Sequence, residues 1–151
     1  MNRLVRPALV ATLAVLALVP SVMAGGAVVT RGEIHAFATG STMDLSGRAQ
    51  MVRTADGKTI VTVHVTGLAP NQAYGAHVHQ QACAPGDADG HYRFNPAGPA
   101  TPPNEIWPGF TTNAAGIGNG SATVEATAGT TAVSVVIHAP GGAKIACADL
   151  R

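Results

Sequence analysis

Thr59-Ile60-Val61-Thr62-Val63-His64-Val65-Thr66 alternates without interruption. Val61, Val63 and Val65 fall on one side of an extended chain and Thr62, His64 and Thr66 on the other, the period-two pattern of a half-buried strand. Ahead of it lie Ala49 to Thr54 and the turn Ala55-Asp56-Gly57-Lys58, in which Asp-Gly supplies the positive φ of a tight hairpin. Working outward, further strands are predicted at Ala27 to Phe37, Tyr74 to His79, Ile117 to Ala126 and Ala132 to His138, each bounded by Gly, Pro or Asn. Short strands punctuated by turns describe an all-β domain, an antiparallel sandwich or barrel.

Composition agrees. Of 151 residues 46% are hydrophobic and only 11% charged, which excludes a disordered chain, and the 18 glycines and 10 prolines follow no collagen period. Nine Lys and Arg stand against eight Asp and Glu, scattered along the chain, so no electrostatic footprint for nucleic acid is present. Arg3 and Arg6, the apolar run Ala8 to Val19 and the small-residue end Val22-Met23-Ala24 have the three-part layout of a secretory signal peptide, expected to span residues 1–24. Removing 24 of the 151 residues leaves 127 for a single domain, residues 25–151, with no second apolar stretch of spanning length and hence no membrane anchor. The expected destination is periplasmic or extracellular. In such an oxidising compartment the only two cysteines, Cys83 and Cys147, allow one intramolecular disulfide.

Between Ala82 and Thr112 the strand pattern stops. Pro85, Pro96, Pro99, Pro102, Pro103 and Pro108 mark a long loop, and loops of this length are usually functional. Four of the six histidines bracket it. In His77-Val78-His79 the strand spacing puts both imidazoles on one face, about 6 to 7 Å apart, with Ala76 and Val78 pointing into the core. The alternation over Ala132 to His138 sends Val133, Val135 and Ile137 inward and leaves His138 on the outer face, while the loop can bring His91 to the same place. An all-imidazole set suits copper, zinc, nickel or iron, and the spacing does not choose among them.

Gly67-Leu68, Gly75-Ala76-His77-Val78-His79, Cys83, Gly90-His91-Tyr92-Arg93-Phe94-Asn95-Pro96, Val135-Val136-Ile137-His138 and Ile145-Ala146-Cys147 occur in that order. Together they resemble the copper/zinc superoxide dismutase family, from about Ala49 to Asp149. The resemblance implies a Greek-key β-barrel with its site on the outer wall under long loops, and a disulfide from the metal-binding loop to the last strand at Cys83 and Cys147. It implies that His77, His79, His91 and His138 bind copper, His91 being the residue that bridges copper to zinc in the family. The family's remaining zinc ligands are missing, since no His or Asp occurs between Phe94 and Val135, so zinc is not expected and the chain resembles the copper-only members.

Without zinc, His91 needs another acceptor for its second N–H, because ligating imidazoles normally give theirs to a carboxylate or carbonyl. Glu105 is the candidate, with Asp87 and Asp89 as alternatives. The family's substrate-guiding arginine is replaced by Lys144, which keeps the charge and loses the planar fork. The few residues between His138 and Lys144 leave no room for the family's charged loop, so a more open copper is expected. The resemblance implies dismutation of superoxide to oxygen and hydrogen peroxide, with His91, Glu105 and Lys144 in the catalytic machinery; the rival is a non-catalytic protein that buffers or delivers copper outside the cytoplasm. His35 and His64 have no partner at ligand spacing, and Trp107 and Phe110 read as anchors of the long loop.

Overall fold

The hairpin expected around Asp56-Gly57 forms: Gly57 has φ +90°, a backbone state glycine adopts freely, and Thr54 Oγ1 accepts from the Lys58 amide at 2.9 Å. In the computed structural model, which describes residues 26–84 and 88–151, the two arms are β3 (Ser46–Arg53) and β4 (Thr59–Thr66), paired from Arg53 with Thr59 to Ser46 with Thr66. Val61, Val63 and Val65 are buried and Thr62 is exposed, as the alternation requires. The expected leader, residues 1–24, and Asp87 lie outside the described residues.

The other strands are β1 (Val28–Glu33), β2 (His35–Ala36), β5 (Ala73–His79), β6 (Phe110–Thr111), β7 (Gly118–Val124), β8 (Ser134–His138) and β9 (Lys144–Asp149). Two antiparallel sheets result, ordered β1-β3-β4-β7 and β2-β9-β8-β5-β6, and the domain is all-β. No helix among the described residues is long and apolar enough to cross a membrane. The segment expected as one strand from Ala27 to Phe37 serves both sheets. It breaks at buried Ile34, so that β1 pairs with β3 and β2 with β9.

The main core lies between the sheets, where Ala49, Met51, Val61, Val63 and Val65 of the first meet Ala76, Val78, Val135, Ile137, Ala146 and Ala148 of the second. The second sheet is covered on its other face as well. There Val136 and Cys147 pack with Ala88, Phe37 and Cys83 in a smaller cluster beneath the long loop. That two-sided burial explains why β9 carries no legible alternation: Ile145, Ala146, Cys147 and Ala148 are all buried. It also explains why every residue of β8 is buried, His138 included.

The loop of residues 80–109 runs along the outer edge of β5. Tyr92 donates its amide to the Val78 carbonyl at 2.8 Å, the Val78 amide reaches Ile106 at 3.1 Å, and His79 and His91 form an isolated antiparallel bridge. Ile106 is buried in the core, and the Tyr92 hydroxyl accepts from the Gly129 amide at 2.9 Å. A disulfide joins Cys83 of this loop to Cys147 of β9, 64 residues apart, and the Cys83 amide donates to Asp149 Oδ1 at 2.7 Å. Closing a loop of that size removes roughly 4 kcal/mol of unfolded-state chain entropy. The double replacement Cys83→Ala and Cys147→Ala is therefore expected to lower the unfolding free energy by about 4 kcal/mol in a denaturant titration, and an unchanged midpoint would contradict this.

Candidate metal centre

β5 delivers His77 and His79 to the outer face of the second sheet, their ring centroids 6.5 Å apart. Neighbouring β8 ends on His138, with centroids 4.7 Å from His77 and 5.6 Å from His79. The loop adds His91, 4.1 Å from His77 and 4.9 Å from His79. Each of the four offers one nitrogen, and these nitrogens all lie within 4.8 Å of one another. The group can hold a metal ion.

Orphaned polar atoms support that reading more strongly than proximity does. His77 Nδ1, His79 Nε2 and His138 Nε2 are buried and have no hydrogen-bond partner. Burying a polar nitrogen without a partner costs about 1–3 kcal/mol, and three such atoms aimed into one space are hard to account for unless a cation completes them. Imidazole–metal bonds of about 2.0–2.1 Å put opposite ligands roughly 4 Å apart, so the set needs only a small contraction.

On three of the four rings the nitrogen facing away from the centre is held. His79 Nδ1 donates to the carbonyls of Asp89 at 3.0 Å and Ala88 at 3.3 Å. Both of those residues have left-handed backbone, φ +51° and +62°, at the point where their carbonyls meet the ring. His138 Nδ1 donates to the Gly142 carbonyl at 3.0 Å, in a tight turn where Gly142 takes φ +93°. His91 Nδ1 donates to Glu105 Oε2 at 2.7 Å. Each donation fixes the protonated nitrogen and leaves Nε2 as the lone pair for the centre, while His77 offers Nδ1.

Glu105 is only 1% exposed, and its carboxylate takes two further donors, Arg93 Nε on Oε1 at 2.9 Å and Trp107 Nε1 on Oε2 at 2.8 Å. Burial alone would raise its pKa; the hydrogen bonds from His91, Trp107 and Arg93 outweigh that and hold it below the usual carboxylate range. The expected acceptor on His91 is thus Glu105. Asp89 contributes its backbone carbonyl to His79, and its carboxylate accepts from Gln80 and Gln81. Lys144 opens β9, and its ammonium donates to that same Asp89 carbonyl at 2.6 Å. Its charge is felt at His79 and His138.

Arg93 and Trp107 were not expected at the site. The available signal is the spacing: in extended chain, residues two apart share a side, which pairs Arg93 with His91 and Trp107 with Glu105. The Trp107 ring also lies 5.1 Å from that of His77. His35 and His64 stay apart from the cluster, His35 on β2 and His64 on β4 with its Nδ1 2.8 Å from Asn119 Oδ1. No family model matches this chain, and no match was found among the curated proteins compared with it.

Burial, followed by the neighbouring His91, His138 and His79, pushes His77 down from its ordinary 6.5 to about 3. Burial likewise lowers His79 to about 4 and shifts His138 in the same direction. Unfolded, these imidazoles protonate near 6.5; folded, they resist protonation well below that, so the unfolded chain binds more protons in the interval. The stability they contribute is complete above pH 6.5 and is lost as the pH falls through the folded values near 4 and 3. The metal-free protein is expected to melt at progressively lower temperature on acidification from about pH 7 to about pH 4, and the double replacement His77→Gln and His79→Gln to flatten that profile. A melting temperature that stays constant across the interval in the unsubstituted protein would contradict the assignment of these groups as buried and neutral.

Proposed function

We propose that this protein is an exported copper-dependent enzyme that converts superoxide to oxygen and hydrogen peroxide, on a Greek-key fold of the copper/zinc superoxide dismutase type. The observation that carries the reading is the set of four convergent imidazoles, three with buried unpartnered nitrogens and three fixed from behind by a carboxylate or carbonyl. His77 through Nδ1, and His79, His91 and His138 through Nε2, would hold copper, for which an all-nitrogen donor set is well suited. Bound there, copper would supply the one-electron couple that oxidises one superoxide and reduces a second.

His91 is the only one of the four that comes from the loop, and its side chain is 28% exposed. Its Nε2 is the atom suited to carry a proton to the reduced substrate, while Glu105 keeps the proton on Nδ1. Lys144 supplies positive charge beside His79 and His138, which favours approach of an anion. Glu105 engages the nitrogen of His91 that would otherwise face a second metal, which supports a site built for copper without zinc. The Cys83–Cys147 disulfide, common in exported proteins, and the leader-like sequence of residues 1–24 support a periplasmic or extracellular location.

A copper-buffering or copper-delivery protein on the same fold is the second reading. The observation that favours it is the Lys144 ammonium donating to the Asp89 carbonyl, where the family's arginine would offer an anion a two-point fork. Activity separates the two. The copper-loaded protein is expected to contain one copper per chain and no zinc, to show quenched emission from its single tryptophan, Trp107, and to disproportionate superoxide. In His77→Ala the activity should fall by more than about 100-fold, beyond what loss of an outer partner costs. Stoichiometric copper without activity would overturn the enzyme and leave the copper-handling protein.

A further inference from the structure

Three of the four imidazoles sit in a strand ladder, whereas His91 belongs to the loop and joins β5 only through an isolated bridge to His79. Its orientation therefore depends more heavily on what holds its far nitrogen, and that is Glu105. A carboxylate with one partner turns easily about its last torsion, since such sp³–sp² rotations are broad. Glu105 is not left in that state. Arg93 takes Oε1 at 2.9 Å, while Trp107 and His91 share Oε2 at 2.8 and 2.7 Å, so donors on both oxygens set the carboxylate plane. The guanidinium is planar and permanently charged, and its Nη1 lies 3.5 Å from the Pro96 carbonyl in the same loop.

Trp107 is 39% exposed, so core packing does not explain its place. Its indole N–H is on Glu105, and its ring lies 5.1 Å from the His77 ring at 59°. One side chain thus touches a ligand from β5 and the carboxylate that orients the ligand from the loop.

We propose that Arg93 and Trp107 are positioning residues of the metal centre, which act through the Glu105 carboxylate to set the orientation of His91, with Trp107 coupling His91 to His77. This inference rests on the copper reading of the four-histidine set. It assigns to Arg93 and Trp107 no contact with substrate.

The test compares the full-length mature protein with Arg93→Met, Arg93→Lys and Trp107→Phe. Copper(II) affinity is measured by competition with a chelator, the paramagnetic resonance spectrum is recorded on the loaded protein, and melting is followed on the metal-free protein. Trp107→Phe is expected to weaken copper(II) binding about 10- to 100-fold and to change the copper hyperfine splitting, with metal-free melting close to that of the parent. Arg93→Met is expected to change affinity and spectrum in the same way while also lowering metal-free melting, because it removes the charged partner of a buried carboxylate. Arg93→Lys, which restores a charged donor, should recover part of the affinity. Should Arg93→Met fail to fold, Trp107→Phe carries the test, since it removes one N–H from a partly exposed side chain. Parental affinity and spectrum in the variants that fold, or affinity lost in Trp107→Phe only in step with its metal-free melting temperature, would overturn this inference alone. Failure of the parent protein itself to bind copper would overturn the copper reading and this inference with it.

Discussion

A carboxylate that is 1% exposed must find its partners inside the protein, and the answer given to Glu105 organises the whole outer wall of the second sheet. Its donors come from the segment that carries His91 and from the indole that covers His77, so satisfying one buried charge also assembles the loop over the histidines. Pairing only one of these donors would leave the carboxylate underserved, and removing a partner from a buried charge is destabilising. The loop is therefore held in place by the same hydrogen bonds that define the site.

Around that centre the fold keeps the histidines rigid. β5 and β8 are neighbours in a sheet buried on both faces, so His77, His79 and His138 stand on a surface that cannot flex independently of the core. The Cys83–Cys147 disulfide fastens the loop segment whose Ala88 and Asp89 carbonyls orient His79 to the adjacent strand β9. The turn at Gly142 does the corresponding work for His138. His79, His91 and His138 are thus each aimed from behind by a different piece of backbone or side chain, and the unpartnered nitrogens are left facing one another.

Much of this was legible in the chain because period-two patterns and ligand chemistry are local. The alternation of Thr59 to Thr66 and the Asp-Gly turn specified a hairpin, and the HxH spacing gave a ring separation that the structure matches. Glu105 could be picked out as an acceptor because so few acidic residues accompany the loop. What stayed hidden depends on contacts distant in sequence. β9 has small apolar residues facing both ways, because the loop buries the face that a sandwich would ordinarily expose, so no alternation announced it. The break at Ile34, which sends one extended segment into two sheets, is decided by the seam between them. Trp107 reads only as a loop anchor, and Arg93 has no role of its own within the His91 motif, until the fold brings Glu105 between them; Lys144 showed its charge but not its acceptor.

The central claim, that these four imidazoles form one copper site, is tested most directly by X-ray absorption at the copper edge of the protein loaded with one equivalent of copper. A first shell of nitrogen at about 2 Å, with the outer-shell scattering of imidazole rings and no metal–metal vector, is the predicted result. A shell dominated by oxygen or sulfur, or one that persists unchanged when His77 and His138 are both replaced by alanine, would contradict it.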